Sequence, residues 1–481
     1  MVPLATAMAV SSCGVDPLPP LGEVVLFVHT DLPSPRIAGR LRIDLYDTDG
    51  HWFLSRDLAR PNADDWPPSF SVYSEDPSPK HVWVRLRVYP EGKVRDYLGE
   101  RLQDWPEVLS PDADGSGLPR LILDGIDETP ATEPDPLLSV DRLLLLQIPS
   151  EQRVYVGVTL RGACAGTMPS FGQGPVPGEA RSCVDVAQQR EAVIAEPVSS
   201  TPPAIDKTSW LDAPCERSGD PGPLCVAGDV MVFGNRFLVF GDFTDAAPER
   251  LVGIPRFRMD AQEVTVGRFR DALRRGFVAP DPVTPLDEPL SPTQGACTFT
   301  SAPGDREDYP LNCVTWATAR AFCVFEGGDL PTEAQWELAV TQEGRDVKTP
   351  YPWGQDDPAC GEVVFGRAEL AGTEGYCAQN GWGPVALGVQ DARDVSPSGL
   401  RGLAGGVSEW VRDAGEGYEH PCRATSVVNP WCDLEGAPNR VVRGGAWASP
   451  PPTLVGTFRF TRPASTRSDF VGFRCVVEDE P

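Results

Sequence analysis

Thirteen cysteines and four histidines are the residues of this chain best suited to chemistry, and their spacing decides which kind. The cysteines are Cys13, Cys164, Cys183, Cys215, Cys225, Cys297, Cys313, Cys323, Cys360, Cys377, Cys422, Cys432 and Cys475. None forms a Cys-x-x-Cys knuckle, so the spacing of a structural zinc site is missing. With Cys13 set aside an even number remains, and an even set in a loop-rich chain reads as disulfides made in an oxidising compartment. Cys164–Cys183, Cys215–Cys225, Cys360–Cys377 and Cys422–Cys432 are near enough in sequence to staple loops, but spacing alone leaves the connectivity open.

His29, His51 and His81 lie in the first fifth of the chain, and only His420 lies in the C-terminal half. A three-histidine iron or zinc site in that half is therefore excluded. No Ser-His-Asp or Cys-His pairing can be assembled there beyond His420 beside Cys422, which argues against a histidine general base and leaves acid pairs. Two Asp-rich runs, Asp112–Gly117 and Asp124–Asp135, resemble calcium loops. Asp112, Asp114, Ser116 and Gly117 match the first half of an EF-hand loop. The position that needs a bidentate Glu is Leu123, so a solvated loop is expected.

The elements that must position these residues follow from composition and pattern. At 481 residues, with Gly 47 and Pro 51, the chain holds two or three domains, many turns and few long helices. Its formal net charge of −27, with no basic stripe, repels phosphate backbones and excludes nucleic acid as a partner. From Gly22 to Val186, short runs such as Glu23–His29, Arg40–Leu45, Val82–Val88, Val140–Gln147 and Arg153–Leu160 alternate between turn clusters, and an antiparallel β-sandwich is predicted over 22–186. Within Val82–Val88, Arg85 and Arg87 fall on one face and the aliphatic residues on the other. Residues 187–224 read as a linker. A second domain, 225–478, mixes short strands with three helices, giving an α+β chain overall. Thr265 caps a first helix that stops at Gly276, Thr315 caps a second that ends at Gly327-Gly328, and Thr332 with Gln335 forms a capping box for a third.

The N-terminus carries its own signal. Val2–Val10 is apolar but too short to span a bilayer. It runs into Val10-Ser11-Ser12-Cys13, which resembles a bacterial lipoprotein cleavage box, although no Lys or Arg precedes Cys13. The resemblance implies a signal peptide over 1–13, lipidation at Cys13, a tether over 14–21, and a membrane-anchored lipoprotein of the periplasm or outer membrane.

The C-terminal half holds six motifs in order: Glu263-Val264-Thr265, Leu330-Pro331-Thr332-Glu333-Ala334-Gln335-Trp336-Glu337, Tyr351-Pro352-Trp353-Gly354, Gly405-Gly406-Val407-Ser408-Glu409-Trp410, Arg443-Gly444-Gly445-Ala446-Trp447 and Gly472-Phe473-Arg474-Cys475. Each alone reads as architecture: a capped helix entry, or a large indole packing a core short of regular structure. Together and in this order they resemble the formylglycine-generating enzyme family, also called sulfatase-modifying factor. Gly234–Gly241 resembles the family's opening strand and turn. The resemblance implies a variant of the C-type-lectin-like fold. It also implies a Cys323–Cys475 disulfide, which would close a loop of about 150 residues and add a few kcal/mol by chain entropy.

The same resemblance exposes what is missing. Enzymes of the family hold Cu(I) between two thiolates and use dioxygen to oxidise a substrate cysteine; a soft ion needs soft sulfur. The two ligand positions are Ser449 and Leu454 here. The active-site Ser of the Gly-Gly-Ser-Trp-like motif is Ala446, and the first Trp of Trp-Glu-Trp is Ser408. A branch that makes sulfur–carbon bonds in ergothioneine synthesis needs a three-histidine iron domain that four histidines so placed do not supply. The family's calcium loop keeps Glu409 and the carbonyls of Gly405 and Val407, but its Asn/Asp ligand is Gly402, leaving a weak calcium candidate. Arg443, Arg459, Arg462, Arg467 and Arg474 gather near the C-terminus, and Arg459, Arg462 and Arg467 are candidates to line a groove for an acidic or peptide ligand. The reading that follows is an exported, lipid-anchored, non-catalytic binding or scaffold protein, free of cofactors, for a peptide, glycan or protein ligand. The alternative is a divergent enzyme of the superfamily, doing oxidative or maturation chemistry on a peptide or small molecule.

Overall fold

A computed structural model of the chain describes residues 22–74, 78–99, 118–172, 174–187, 189–204, 209–211, 215, 222–236, 246–368, 375–424 and 426–478. The segments expected as signal peptide and tether, including Cys13, lie outside these residues. So do Asp112–Gly117 and the second half of Gly234–Gly241.

The N-terminal part is built from β1 (Gly22–Thr30), β2 (Arg40–Tyr46), β3 (Trp52–Ala59), β4 (Ser69–Ser74), β5 (Lys80–Tyr89), β6 (Val140–Ile148) and β7 (Arg153–Leu160). They form two sheets, in the orders β7-β1-β4 and β6-β5-β2-β3. Period-two alternation sends Val24, Leu26 and Val28 of β1, Leu41, Ile43 and Leu45 of β2, and Val84, Leu86 and Val88 of β5 into one apolar core shared by both sheets. One expectation is corrected: the strands are not all antiparallel, because β1 and β7 run parallel from Glu23↔Arg153 to Thr30↔Leu160. The reason is the path of the chain. β6 pairs with β5 in one sheet and β7 crosses into the other, so it arrives beside β1 in the same direction.

The Arg85/Arg87 face of β5 is also buried. Arg85 Nε lies 3.0 Å from both Asp141 oxygens, and Arg87 Nη2 lies 2.6 Å from Asp44 Oδ2. Trp83 shares that face and packs edge-on against Phe171, which belongs to the apolar cluster lying over it. Part of the expected linker 187–224 lies on these sheets too. Tyr155 and Ser199 exchange backbone hydrogen bonds of 2.8 and 2.9 Å, and Glu196 N donates to Leu145 O.

The C-terminal part begins with β8 (Leu224–Val226), the hairpin β9 (Asp229–Phe233) and β10 (Arg250–Ile254), and β11 (Phe257–Met259). The hairpin is shared between two cores. Val230, Val232 and Leu251 pack with the N-terminal sheets, while Met231, Phe233, Val252 and Ile254 enter the C-terminal core. The two parts are thus joined through one two-faced ribbon. Arg36–Asp229 and Lys93–Glu249 ion pairs tie its edges.

Three helices follow where capping residues place them: α1 (Val266–Arg274), α2 (Trp316–Phe325) and α3 (Glu333–Thr341). Thr265 accepts from Arg268 N, Thr315 from Thr318 N and Thr332 from Gln335 N, with the Gln335 side chain accepting from Thr332 N to complete the capping box. Gly276 stops α1 at φ +101, a conformation open to glycine. The second sheet of this part comprises β12 (Ser408–Ala414), β13 (Asn439–Arg443), β14 (Arg459–Pro463) and β15 (Val471–Gly472), in the order β14-β13-β12-β15. β16 (Val476–Glu478) closes a sheet with β11 and β8. The architecture is mostly β with few helices, within the α+β class. Disulfides join Cys164–Cys183, Cys215–Cys225, Cys297–Cys313, Cys323–Cys475, Cys360–Cys377 and Cys422–Cys432.

Candidate functional site

The sheet β14-β13-β12-β15 has two chemically different faces, and strand register assigns the motif residues Ser408, Glu409, Trp410 and Arg443 to one or the other. Glu409 pairs with Arg443 and Arg443 with Arg459, so these three share a face. Ser408 pairs with Val471, Trp410 with Val442, and Val442 with Phe460, so these share the other.

The first face packs on α3, all of whose residues are buried. Glu333 and Glu337 stand one turn apart on that helix and take up Arg443 and Arg459 of the sheet and Arg423 from the loop after β12. Arg459 Nε lies 2.7 Å from Glu333 Oε1, Arg423 Nη2 lies 3.0 Å from Glu333 Oε2, and Arg443 Nη2 lies 2.5 Å from Glu337 Oε2. Burial works to raise the Glu333 carboxyl, but Arg459, Arg423 and Arg443 outweigh it and hold the group down at about 2. Arg459 was expected to line a groove. It is 3% exposed and committed to Glu333, because its strand parity turns it inward.

Glu409 is equally committed. Both its oxygens receive Arg474 Nε, at 2.8 and 2.9 Å, and Trp336 Nε1 donates to Oε2 at 3.0 Å. The calcium donor set of Glu409 with the Gly405 and Val407 carbonyls therefore does not fit a cation, since its one carboxylate is already neutralised by a guanidinium. Gly402 supplies no side-chain donor, and its carbonyl accepts from Arg474 Nη2 at 3.1 Å. The space a side chain there would need is taken by Glu263, whose carboxylate would lie 2.4 Å from a Cβ on Gly402. Neither Glu263 oxygen has a hydrogen bond among the described residues, and Arg474 Nη2 stands 3.7 Å away. Burial therefore pushes the Glu263 carboxyl well above its ordinary value. Burial likewise raises Asp394 to about 6, against hydrogen bonds from Ala404 N and Leu403 N.

The second face carries a pocket of about 220 Å³. Its floor is Ser408, Val442, Phe460 and Val471 from the four strands, with the exposed Arg462 at its mouth. Its wall is the turn from Ala446 to Thr453, with Ser449 facing in, and Phe470 closes one side. This is where the degenerate motif positions converge. Ser408 Oγ donates to Gly444 O at 3.0 Å, and Ser449 Oγ accepts from Ala446 N at 2.9 Å. Leu454 does not join them. It is fully buried in a separate cluster with Tyr351, Val363 and Phe365. Arg462 reaches the pocket, whereas Arg467 donates to Pro282 O on an exposed loop. The copper site implied by the motifs is not matched by these residues: a hydroxyl stands at one ligand position, an aliphatic side chain at the other. All twelve described cysteines are bridged.

Two further clusters of potential ligands carry no such chemistry. Cys422 and Cys432 beside His420 are bonded to each other. Asp47, Asp49 and His51 lie on an exposed turn, where Asp47 accepts backbone hydrogen bonds from Asp49 and His51. The pocket residues Val442, Phe460, Thr453 and Phe470 carry no motif and were not legible as site residues. The one available signal was parity, which places Phe460 and Arg462 on the face opposite Arg459.

A capped helix bound by buried carboxylate–guanidinium pairs to one face of a small sheet, with a pocket under a Gly-Gly-x-Trp turn on the other, defines a loop-rich α+β domain of the sulfatase-modifying type. The family of sulfatase-modifying factor enzyme 1-like domains matches residues 218–479, and the chain belongs to it. Hercynine oxygenase of Mycobacterium tuberculosis is 26% identical over 255 residues, 47% of this chain and 54% of its own length. The formylglycine-generating enzyme of Thermomonospora curvata is 28% identical over 263 residues, 46% of this chain and 82% of that enzyme. The mouse protein named inactive C-alpha-formylglycine-generating enzyme 2 is 27% identical over 286 residues, 50% of this chain and 83% of that protein. The chain thus spans little more than half of the hercynine oxygenase it resembles. Among solved structures, PvdO from Pseudomonas aeruginosa aligns with a TM-score of 0.41 and 18% identity, over 53% of this chain and 93% of that one.

Proposed function

We propose that this is a non-catalytic binding protein, in which a sulfatase-modifying-factor-like domain of C-type-lectin-like character presents a pocket to a ligand without bound copper or calcium. The observation that carries the reading is the state of the sulfur. Ser449 and Leu454 stand where two thiolates would be needed, and every described cysteine is consumed in a disulfide. A monovalent soft metal gains little from a hydroxyl and nothing from a leucine. The family contains both named enzymes and a member named inactive, so membership is compatible with a lost reaction. The N-terminal sheets would act as a sandwich-like scaffold fixed to the domain by the shared hairpin.

Six disulfides fit an oxidising, extracytoplasmic environment. Export by a signal peptide and lipidation of Cys13 belong to the same proposal, and they would place the pocket in the cell envelope, facing a peptide, glycan or protein ligand. The test is a thiol count under denaturing, non-reducing conditions together with Cu(I) titration of the folded protein. No thiol beyond Cys13 and no stoichiometric copper supports the reading; two reactive thiols with tight copper binding overturn it. Labelled fatty acid incorporated by the wild type and lost in Cys13→Ala checks the anchor.

A further inference from the structure

We infer that the pocket over the Ser408 face takes a small apolar group bearing a single carboxylate, with the apolar body against Phe460 and Phe470 and the carboxylate on Arg462. The inference rests on the reading of this pocket as a binding site, and it adds the chemical class of the ligand.

Three observations lead to it. The first is size and lining. About 220 Å³ exceeds the roughly 150 Å³ apolar cavity that suffices to admit a benzene ring. Val442, Phe460, Phe470 and Val471 offer aliphatic and aromatic surface to such a ring. The second is charge. Arg462 is the one ionisable residue of the lining, with no acid beside it there. Its side chain is exposed and makes no hydrogen bond or ion pair among the described residues; its contact is with the Phe460 ring, 5.7 Å from the centroid. Acids are abundant in a chain of net charge −27, yet none pairs with this guanidinium among the described residues. Arg459, on the same strand, is buried and paired with Glu333. A fork of N–H donors at the mouth of an apolar cavity selects a planar anion. One positive charge in so acidic a chain balances a monoanion and under-neutralises a phosphate dianion. The third is the hydroxyl. Ser449 Oγ accepts from Ala446 N, and its own hydrogen is not taken by any described residue, so it can donate to a carboxylate oxygen.

The experiment is calorimetric titration of the full chain with 3-phenylpropionate, 3-phenylpropionamide and a short peptide ending in phenylalanine with a free carboxylate. The acid is expected to bind at least tenfold tighter than the amide, more weakly as salt is raised. Whichever of the free acid and the peptide binds tighter identifies whether the carboxylate belongs to a small molecule or a chain end. Arg462→Met, on an exposed side chain, is expected to keep the fold and remove the preference for acid over amide. Ser408→Trp is expected to fill the pocket and abolish binding of all three. Equal binding of acid and amide, undiminished acid binding by Arg462→Met, or binding of neither acid nor peptide overturns the inference. Copper titration keeps the two readings apart. A copper-binding protein sinks the non-catalytic reading whatever the acids do, while a copper-free protein that ignores them sinks only the ligand assignment.

Discussion

Arg443 places a guanidinium nitrogen 2.5 Å from a Glu337 carboxylate oxygen, with both side chains wholly excluded from water. Lys348 Nζ, at 2.7 Å, and Gly234 N, at 2.8 Å, serve the other oxygen of Glu337, so the pair is embedded rather than isolated. Removing Arg443 strips Glu337 Oε2 of its guanidinium and leaves the buried Gly456, Thr457 and Phe458 carbonyls without that donor. Arg443→Met is expected to lower unfolding stability by roughly 3–5 kcal/mol. The Arg443→Met, Glu337→Met double variant should recover part of that loss. Urea denaturation of the four proteins in a double-mutant cycle reads the coupling; strict additivity would show that the two side chains do not interact.

The two buried glutamates, Glu333 and Glu263, predict opposite responses to pH. Glu333 is held at about 2, below its ordinary 4.5, so it contributes stability that is full above about 4.5 and is lost as pH falls toward 2. Glu333→Gln should therefore melt well below the wild type at neutral pH, and the gap should close in acid. Glu263 is raised above 4.5, so its contribution is full below that pH and is lost as pH rises through the folded-state value. Glu263→Gln, permanently neutral, should match the wild type in acid and melt above it at pH 8. Melting temperatures across pH 3–9 check both signs; parallel curves for all three proteins would contradict the assignment.

The hairpin Asp229–Ile254 predicts that the two halves unfold together. Its residues alternate between the N-terminal core, through Val230 and Leu251, and the C-terminal core, through Met231 and Val252. The wild type is expected to show one calorimetric transition. Val230→Asp buries a carboxylate in the N-terminal core alone, and it should split that transition in two, with the N-terminal half melting first.

Disulfide removal should scale with the loop each bond closes. Cys323 and Cys475 are 152 residues apart and Cys422 and Cys432 are 10 apart. Chain entropy assigns about 5 kcal/mol to the first bond and about 3 kcal/mol to the second. Paired Cys→Ser variants compared by denaturant unfolding test the order, and an equal loss in both would point to native-state strain or denatured-state structure instead.

Much of this was written locally. Thr265, Thr315 and Thr332 announced three helices because a capping hydroxyl needs only residues within one turn of chain, and alternating Val and Leu announced strands because side chains on a pleat alternate faces. The lack of sulfur at Ser449 and Leu454 was equally plain once the family resemblance had implied which two positions to read, since the rest depends on residue type. Tertiary structure decided the rest: that β1 and β7 run parallel, that Arg459 turns inward to Glu333 while Arg462 faces a pocket, that Glu263 fills the space left at Gly402, and that Leu454 lies in a different core from Ser449. Each of these is a contact between residues far apart in the chain. Its geometry is set by which strands pair, in which register and over which face, and those choices are made by the packing of the whole core rather than by any segment of it.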